Sequence, residues 1–401
     1  MNNRISTGMM FSQSVVTMLS KQSKLSHLQE QLSSGQRMVS AKDDPVAAGT
    51  AVNLDRAVAQ LAQFSSNANN VQNRLGLQEN ALSQAGDLMT RVTELTVEAN
   101  NASLTTDDRK AIASELQAIH DQMLSLANST DGNGRYLFGG TADGNAPFSK
   151  SNGSVVYNGD QTQRQVEVAA DTYVADALPG SEIFMRIRTG DGTMDGSMGS
   201  ANTGTAMLLD FGRDTNSGTY NGESYTVQFT AADAYDVLDS NGNVVSSGAY
   251  ASGDDISFNG VRLRVEGTPA VGDTLQVGPA QSRDVFSTLT NLIDALNTDP
   301  TTDTDRATLQ NALQASLRDV KQASSKMIDA RASGGAQLSA IDNATELRAS
   351  NEVTLKTTLS SIRDLDYAEA IGQYQLETAA LQAAQTVFKQ MQSMSLFQMM
   401  G

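Results

Sequence analysis

The sequence has no cysteine, no tryptophan, two histidines and six prolines among its 401 residues. Without cysteine there is no disulfide framework, thiolate metal site or cysteine nucleophile. His27 and His120 lie on separate predicted helices, and two histidines are too few for a zinc site or a histidine-based acyl-transfer triad. We expect each histidine at a helix surface or an interface. The commonest metal-dependent and covalent catalytic chemistries are therefore excluded.

Basic patches, aromatic residues and long apolar runs are also scarce. The formal net charge is −17 and aromatics make up 5% of the chain. This charge disfavours nucleic acid and anionic membrane surfaces, and no apolar run reaches the roughly 20 residues of a membrane-spanning helix. The polar first residues lack the apolar core of a secretory signal. We expect no nucleic-acid partner, no membrane insertion, and a route out of the cell, if any, that uses no such signal.

Motifs for ligands or catalysis are weak. The glycines of Leu137–Thr141 lack the spacing and lysine of a phosphate loop. Asp239–Asn243 resembles a calcium loop only faintly, and a hairpin turn explains it better. The acid pairs Asp43–Asp44 and Asp107–Asp108 fit helix caps, and Asp254–Asp255 lies beside a turn. The sequence thus predicts no cofactor, no metal and no enzyme activity.

The two ends of the chain differ from its middle. Residues 1–130 and 283–400 show helical periodicity, whereas residues 131–282 hold most of the glycine and nearly all the tyrosine. Between residues 45 and 100 an apolar residue recurs in steps of three and four, broken only by Gln78 and Thr96. This seam predicts one long helix of roughly 80 Å that packs as in a coiled coil. A break at residues 100–106 predicts that the next helix, from Asp107, folds back antiparallel.

The chain ends also have heptad patterns. Phe11, Met18, Leu25 and Leu32 recur every seven residues and predict a helix that ends near Gly35. A second frame runs over residues 313–362, where polar residues and the pair Gly334-Gly335 are expected to weaken its continuity. The last helix is almost uncharged after Glu377, which suits burial against other chains. The residues expected at such interfaces are Leu25, Leu28, Leu32, Leu376, Val387, Met394 and Phe397.

Short alternating runs separated by Asn-Gly steps predict hairpins in the middle of the chain. Residues 189–205 are expected to form a flexible loop. The predicted fold is α+β, a long coiled-coil-like helical bundle built from both chain ends with an inserted hairpin-rich all-β domain. The expected boundaries are 1–42 and 365–401 for terminal arms, 43–135 and 283–364 for the bundle, 136–172 for a β-hairpin region, and 173–282 for an outer β domain.

Several segments of the helical ends resemble signatures of the bacterial flagellin family. Leu32–Asp44 reads LSSGQRMVSAKDD, Asn67–Asn70 reads NANN, and Ser361–Glu369 reads SIRDLDYAE. The resemblance covers roughly residues 1–130 and 300–400 in the same order. Within the family, the segment Gly134–Thr141 (GRYLFGGT) and the variant Asp364–Ile371 (DLDYAEAI) resemble the hook–filament junction proteins. The ending Met394–Gly401 differs from that of filament flagellins.

The resemblance implies a structural subunit that joins the flagellar hook to the filament and is secreted unfolded by type III export. It implies about eleven copies in a ring or single helical layer, by analogy with the tube's protofilaments. It also implies three partners: the hook-side junction protein (hook-associated protein 1), flagellin and an export chaperone. The terminal arms would form the inner layer and become ordered mainly against neighbouring copies.

Two other functions remain open from the residues alone. A filament-forming flagellin would share the same helices. An adhesin-like binding module on a helical stalk would use the β domain, where Tyr220, Tyr225, Tyr235 and Tyr250 form a surface that stacks on sugars or, alternatively, pack between hairpins.

Overall fold

In the computed structural model the described residues are 7–101 and 103–400, with side chains described for 8–101 and 103–392. The chain divides into two compact units, Met1–Ser66 with Ala344–Gly401, and Asn67–Asn343. The described part contains six α-helices: α1 Thr7–Ser34, α2 Pro45–Ala99, α3 Thr106–Ala127, α4 Val285–Leu296, α5 Asp303–Arg363 and α6 Tyr367–Met400.

The long helix α2 is confirmed over 55 residues. Pro45 occupies its first turn, where the missing N–H costs nothing, and Asp44 accepts a 2.9 Å hydrogen bond from the Ala47 N–H. The predicted seam is buried from Phe64 onward, since Leu82, Met89 and Val92 are at most 1% exposed. Local capping and a continuous apolar seam therefore place this helix where the periodicity predicts it.

Helix α3 begins one residue before the predicted start. Thr105 and Asp108 cap it reciprocally, as the Asp108 N–H donates to the Thr105 hydroxyl and the Thr105 N–H donates to the Asp108 carboxylate. Arg91 on α2 meets Glu115 on α3 at 2.8 Å. The short break together with this pairing confirms that α3 folds back along α2.

The weak continuity predicted for residues 313–362 is wrong, because α5 is one helix of 61 residues. At Gly334 and Gly335 no atom lies within 4 Å of a Cβ built there, so neither glycine serves a close approach. Two glycines cost about 1 kcal/mol each in a helix interior. Burial of Met327 and Ile341 on either side outweighs this cost.

The core of the second unit joins the bundle to a layer of aromatic side chains. Phe138, Phe148, Phe184 and Phe286 pack edge-on or tilted, with ring centroids 5.3 to 6.3 Å apart. His120 is 6% exposed and stands edge-on to Phe286 at 5.7 Å. The surface or interface position expected for His120 is therefore wrong, because the ring completes this aromatic layer.

A buried charge cluster ties α2 to the loops that follow α3. The Arg74 guanidinium is 8% exposed and donates to the Tyr136 carbonyl at 2.8 Å. Arg164 makes the shorter bonds to the carboxylates, 2.8 Å to Asp176 and 2.7 Å to Asp143. Burial raises the pKa of the Asp176 carboxyl, although Arg74 and Arg164 act in the opposite direction. The cluster couples segments that are far apart in sequence.

The middle of the chain is antiparallel β structure around a second core. Strands β1 to β14 span Phe148–Ser151, Ser154–Tyr157, Gln165–Ala169, Thr172–Ala175, Ile187–Arg188, Met194–Met198, Met207–Arg213, Tyr225–Ala231, Ala234–Leu238, Val244–Ala249, Asp255–Phe258, Val261–Glu266, Thr274–Pro279 and Ser282–Arg283, with a π-helical turn at Ser181–Met185. A five-stranded sheet has the order β10-β9-β8-β13-β6, and a three-stranded sheet the order β11-β12-β7. Three two-stranded ladders, β1-β2, β3-β4 and β14-β5, complete the described strands. From here on the name outer β domain means residues 194–279, the part of the predicted range 173–282 that contains these two larger sheets.

Hairpin turns follow the Asn-Gly prediction at three of its steps. Asn152-Gly153 and Asn259-Gly260 both have positive φ at each residue, as a type I′ turn requires. Asn241-Gly242 turns β9 into β10, and Asp239 accepts N–H bonds from Asn241 and Asn243. The hairpin interpretation of residues 239–243 is thereby confirmed.

The flexible loop expected at residues 189–205 is wrong, since it contains β6. This strand pairs with β13 at the edge of the five-stranded sheet, and Met194 is fully buried. At Gly196 a Cβ would stand 3.1 Å from Leu208 and 3.2 Å from Phe211. The glycine therefore allows close packing of the sheets, although glycine-rich composition alone suggests flexibility.

Candidate functional site

The terminal helices α1 and α6 form an antiparallel pair in the first unit. The rings of Phe11 and Phe388 lie 4.9 Å apart, and Lys21 Nζ lies 2.7 Å from Glu377 Oε2. Lys21 lowers the pKa of the Glu377 carboxyl by hydrogen bonding. The two arms are thus partners of each other within the chain, a pairing that the separate heptad patterns did not specify.

Pairing leaves many apolar side chains of the two helices exposed. On α1, Val16 and Leu19 are 62% and 61% exposed, and on α6, Leu376 and Val387 are 72% and 54% exposed. Several large apolar side chains exposed on one two-helix element indicate a surface that binds a partner. We call α1 and α6 together the arm pair.

The expected interface residues fall into three groups on the arm pair. Leu376 and Val387 are exposed, whereas Leu25 and Leu32 are half-buried and Leu28 is buried. Met394 and Phe397 lie on α6 at positions whose side chains are outside the described residues. The structure brings the first five onto one two-helix element.

The segments Leu32–Asp44 and Ser361–Glu369 meet where α1 ends and α6 begins. The Arg37 N–H donates to the Arg363 carbonyl at 2.8 Å, and the Leu365 N–H donates to the Gly35 carbonyl at 3.0 Å. Gln36 and Asp364 form the β-bridge between these bonds. We call residues 35–37 with 363–367 the clamp. It joins the end of α1 to the α5–α6 break across more than 320 residues of sequence.

Gly35 is required by the geometry of the clamp. Its φ of +69° lies in the left-handed region, and a Cβ there would stand 2.8 Å from the Tyr367 hydroxyl oxygen. The Gly35 N–H also closes α1 by donating to the Gln31 carbonyl. Gly35 thus both ends α1 and allows the close approach of Tyr367. The sequence pattern predicted only the end of the helix.

The acidic end of the first signature stabilises the turn before α2. The Asp43 carboxylate accepts N–H bonds from Val39 and Ser40 at 3.0 and 2.8 Å. The Ser40 N–H holds the pKa of the Asp43 carboxyl below its usual value, and His27 at 3.7 Å adds to this. Asp43 therefore shapes the turn while Asp44 caps the helix, as expected for an acid pair at a helix start.

The segment Tyr136–Thr141 is also explained by packing. Leu137 and Phe138 are at most 1% exposed in the core of the second unit. Gly140 has φ of +67°, and a Cβ there would collide with Asp160. The Tyr157 hydroxyl donates toward the Phe138 and Asp160 carbonyls, and burial raises the pKa of Tyr157 to about 12. This glycine pair therefore holds a tight loop over the aromatic core.

Metal centres and membrane-spanning helices are not found among the described residues. These residues contain no group of three or more His, Asp or Glu side chains able to hold a metal. None of the described helices is long and apolar enough to cross a membrane. The sugar-stacking surface considered for the tyrosines is not formed, because Tyr225 and Tyr250 are buried edge-on against Phe258 and Phe229.

The helical ends, the arm pair and the inserted β domain define a structural protein of the flagellin type. The profile of the bacterial flagellin N-terminal helical region matches residues 5–143. Crystal structures extend the similarity to the β domain. FlgL of Xanthomonas campestris is 67% identical, covers 77% of this chain and 99% of its own, and superposes with a TM-score of 0.74. Flagellar hook-associated protein 3 of Legionella pneumophila is 28% identical, covers 77% and 98%, and superposes with a TM-score of 0.72.

The chain belongs to the family of flagellar hook-associated protein 3, FlgL. The Escherichia coli K12 member is 27% identical over 398 residues, 99% of each chain. The chain is a structural protein of the bacterial flagellum, located at the hook–filament junction. The phase 1 flagellin of Salmonella naestved is 36% identical, but only over 28% of this chain and 22% of its own. The junction interpretation is confirmed, and filament flagellin is a distant relative.

Proposed function

We propose that copies of this chain assemble through the arm pair into a ring or single helical layer, about eleven to a turn by analogy with the tube. Residues 1–42 and 365–401 form the inner layer, and the bundle segments 43–135 and 283–364 surround it. One face of the layer meets hook-associated protein 1 and the other meets the first flagellin subunits.

The exposed apolar stripe of the arm pair carries this proposal. Burying a valine or leucine side chain contributes about 1.5 to 3 kcal/mol. Val16, Leu19, Leu376 and Val387 would gain this only against another chain, because pairing of α1 with α6 leaves them exposed. The interface we propose comprises these four side chains together with the predicted Leu25, Leu32, Met394 and Phe397. The predicted Leu28 is already buried within the chain and has little surface left for a neighbouring copy.

The apolar surface of α6 must also be kept from associating before assembly. We propose that the chain passes through the flagellar type III apparatus unfolded. Before export, a chaperone covers α6. The segment after Glu377 suits such a partner, since Lys389 is its one charged residue. The chain acts by assembly, without catalysis. Its acidic pairs serve as caps and turns, as at Asp44 and Asp108.

The test compares two exposed valines in full-length protein, expressed in a source-bacterium strain that lacks its own copy. Val387 lies on α6, and Val271, 75% exposed, lies in the turn before β13. We expect V387D to be exported to the medium yet fail to hold filaments, so that cells do not swim. V271D is the matched control and keeps swimming. Normal filaments with V387D contradict the proposal, whereas its absence from the medium places the defect at export.

A further inference from the structure

One stripe of α5 faces the outer β domain at intervals of seven residues. The Thr304 hydroxyl donates to the Thr203 carbonyl at 2.8 Å, Asn311 meets the start of β7, and the Arg318 guanidinium stands 4.9 Å over the ring of Phe211. Residues seven apart lie on the same side of a helix. The three contacts therefore form a line of roughly 21 Å along α5.

Asn311 contacts backbone rather than side chains. Its Oδ1 accepts from the Leu208 N–H at 2.9 Å, and its Nδ2 donates to the Ala206 carbonyl at 3.1 Å. Strand β7 is an edge strand of the three-stranded sheet. It pairs with β12 along one edge, and Asn311 contacts the opposite edge. A donor and an acceptor two residues apart on an edge strand are the groups that a further strand would pair. The amide of Asn311 thus takes the place of that strand.

A second anchor lies two turns further along α5. Asp319 is 4% exposed and accepts from the Gly190 N–H at 3.0 Å, just before β6. It also holds Arg283 in an ion pair. The Arg318 Nε is buried without a hydrogen-bond partner, but its Nη2 donates to the Gly196 carbonyl on β6 at 3.4 Å, beside the contact with the ring of Phe211. Asp319 and Arg318 therefore hold the near end of the β domain, and of the contacts on α5 the Asn311 amide is the one that bonds the free edge of β7 through both a donor and an acceptor.

We propose that Asn311 is the positioning residue that fixes the outer β domain on α5, by serving as the missing neighbour of β7. The domain is then a rigid extension of the bundle, and not a module that swings on flexible connections. This inference goes beyond assembly, because it concerns how the β domain is oriented on α5 within a single subunit.

The side chain must be an amide of this length. Alanine leaves the Leu208 N–H and the Ala206 carbonyl without their partner. Aspartate keeps the acceptor for the Leu208 N–H but places a carboxylate oxygen opposite the Ala206 carbonyl, which repels it. The series Asn, Asp, Ala therefore removes first one bond and then both.

The experiment measures a distance between two spin labels in full-length protein. The chain has no cysteine, so S240C in the β9–β10 turn and S114C on α3, both exposed, accept labels without competition. We expect N311A to widen the distance distribution at least about twofold, as for a released domain contact. N311D gives an intermediate width. N343A changes the same residue type at an exposed site of the same helix and leaves the width unchanged.

Amide hydrogen exchange supplies a second reading on the same samples. In N311A the Leu208 amide should exchange faster, while amides of the central strand β8 keep their protection. If the Leu208 amide loses protection but the label distance keeps its parent width, the domain is positioned without Asn311 and the proposal is overturned. If N311A does not fold, N311D is judged by the same two readings.

Discussion

The outer β domain and the arm pair bury apolar surface in opposite ways. The β domain has its own core, with Val227, Phe229, Leu263 and Leu275 fully buried. In the unit that contains the arm pair, the buried apolar side chains among the described residues are Leu28, Ala51, Phe64, Ala344 and Ala370. Three of these five are alanines, and each alanine side chain buries little apolar surface area.

This difference separates stability from assembly within one chain. A domain with a filled core gains its folding free energy internally, whereas a helix pair with an exposed apolar stripe gains the remainder from partner chains. Substitutions in the β domain should therefore change monomer stability, and substitutions on the arm pair should change association.

The largest expected effect is on the β-domain core. Phe229→Ala removes a fully buried ring that packs on Tyr250 at 5.2 Å. We expect the free energy of unfolding of that domain to fall by about 3 to 5 kcal/mol. Urea denaturation followed by tyrosine fluorescence and circular dichroism measures it. Val387→Ala on the exposed side of α6 should stay within about 0.5 kcal/mol in the monomer. Equal losses in the two variants would erase the contrast between the regions.

The next effect concerns the clamp. Gly35→Ala forces a side chain into the left-handed region and against Tyr367, a strain of about 1 to 3 kcal/mol. We expect faster amide exchange in α1 and α6 and unchanged exchange in the outer β domain. Gly49→Ala on α2, where nothing lies within 4 Å of the added methyl, should instead stabilise its helix by about 0.5 to 1 kcal/mol. Normal protection of both arms in the Gly35 variant would show that the clamp is dispensable.

Two carboxyls of α5 should give pH dependences of opposite sign. Burial raises the pKa of Asp319, so its contribution to stability is fully present below pH 3.8 and is lost as pH rises through its folded pKa. The Thr302 N–H lowers the pKa of Asp305, so that contribution is present above pH 3.8 and is lost as pH falls. The free energy of unfolding is measured by denaturation between pH 3 and pH 7 for the parent, Asp319→Asn and Asp305→Asn. The two substitutions should change its slope against pH in opposite directions. Slopes of the same sign would refute this assignment.

The smallest effect is expected from the ion pair between the arms. Glu377→Gln keeps the size of the side chain and removes its charge opposite Lys21. Because the pair is partly exposed and salt screens such charges, we expect a loss of arm protection smaller than in the Gly35 variant. The difference from the parent should shrink further at high salt. A larger loss at high salt than at low salt would exclude an electrostatic origin.

Local patterns were sufficient for most of the helices and for the hairpin turns at Asn152-Gly153, Asn241-Gly242 and Asn259-Gly260. The seam of α2 and the caps at Asp44 and Asp108 are contained in short stretches of sequence, so they were predictable. The continuity of α5 through Gly334-Gly335 was not, because buried neighbours outweigh the low helix propensity of glycine. Strand β6 was missed for the converse reason, since its glycine serves packing between sheets.

The candidate site was predictable only in part. Heptad patterns predicted an interface on the terminal helices, which remains a prediction, but they could not show that α1 pairs with α6 or that Leu28 is buried. The clamp joins Gly35 to Leu365, and Asn311 joins α5 to β7, through backbone groups distant in sequence. Neither contact leaves a periodic signal, since a single glycine or asparagine in a helical segment is compatible with many local environments.

Cysteine cross-linking in intact flagella tests the central claim most directly, because the parent chain has no thiol. Val387→Cys on the arm pair and Val271→Cys in the outer β domain place single thiols at two exposed valines. Treatment with a short bifunctional maleimide, followed by denaturing electrophoresis, should give a covalent dimer for V387C and a monomer for V271C. A dimer for V271C with only monomer for V387C would contradict assembly through the arm pair.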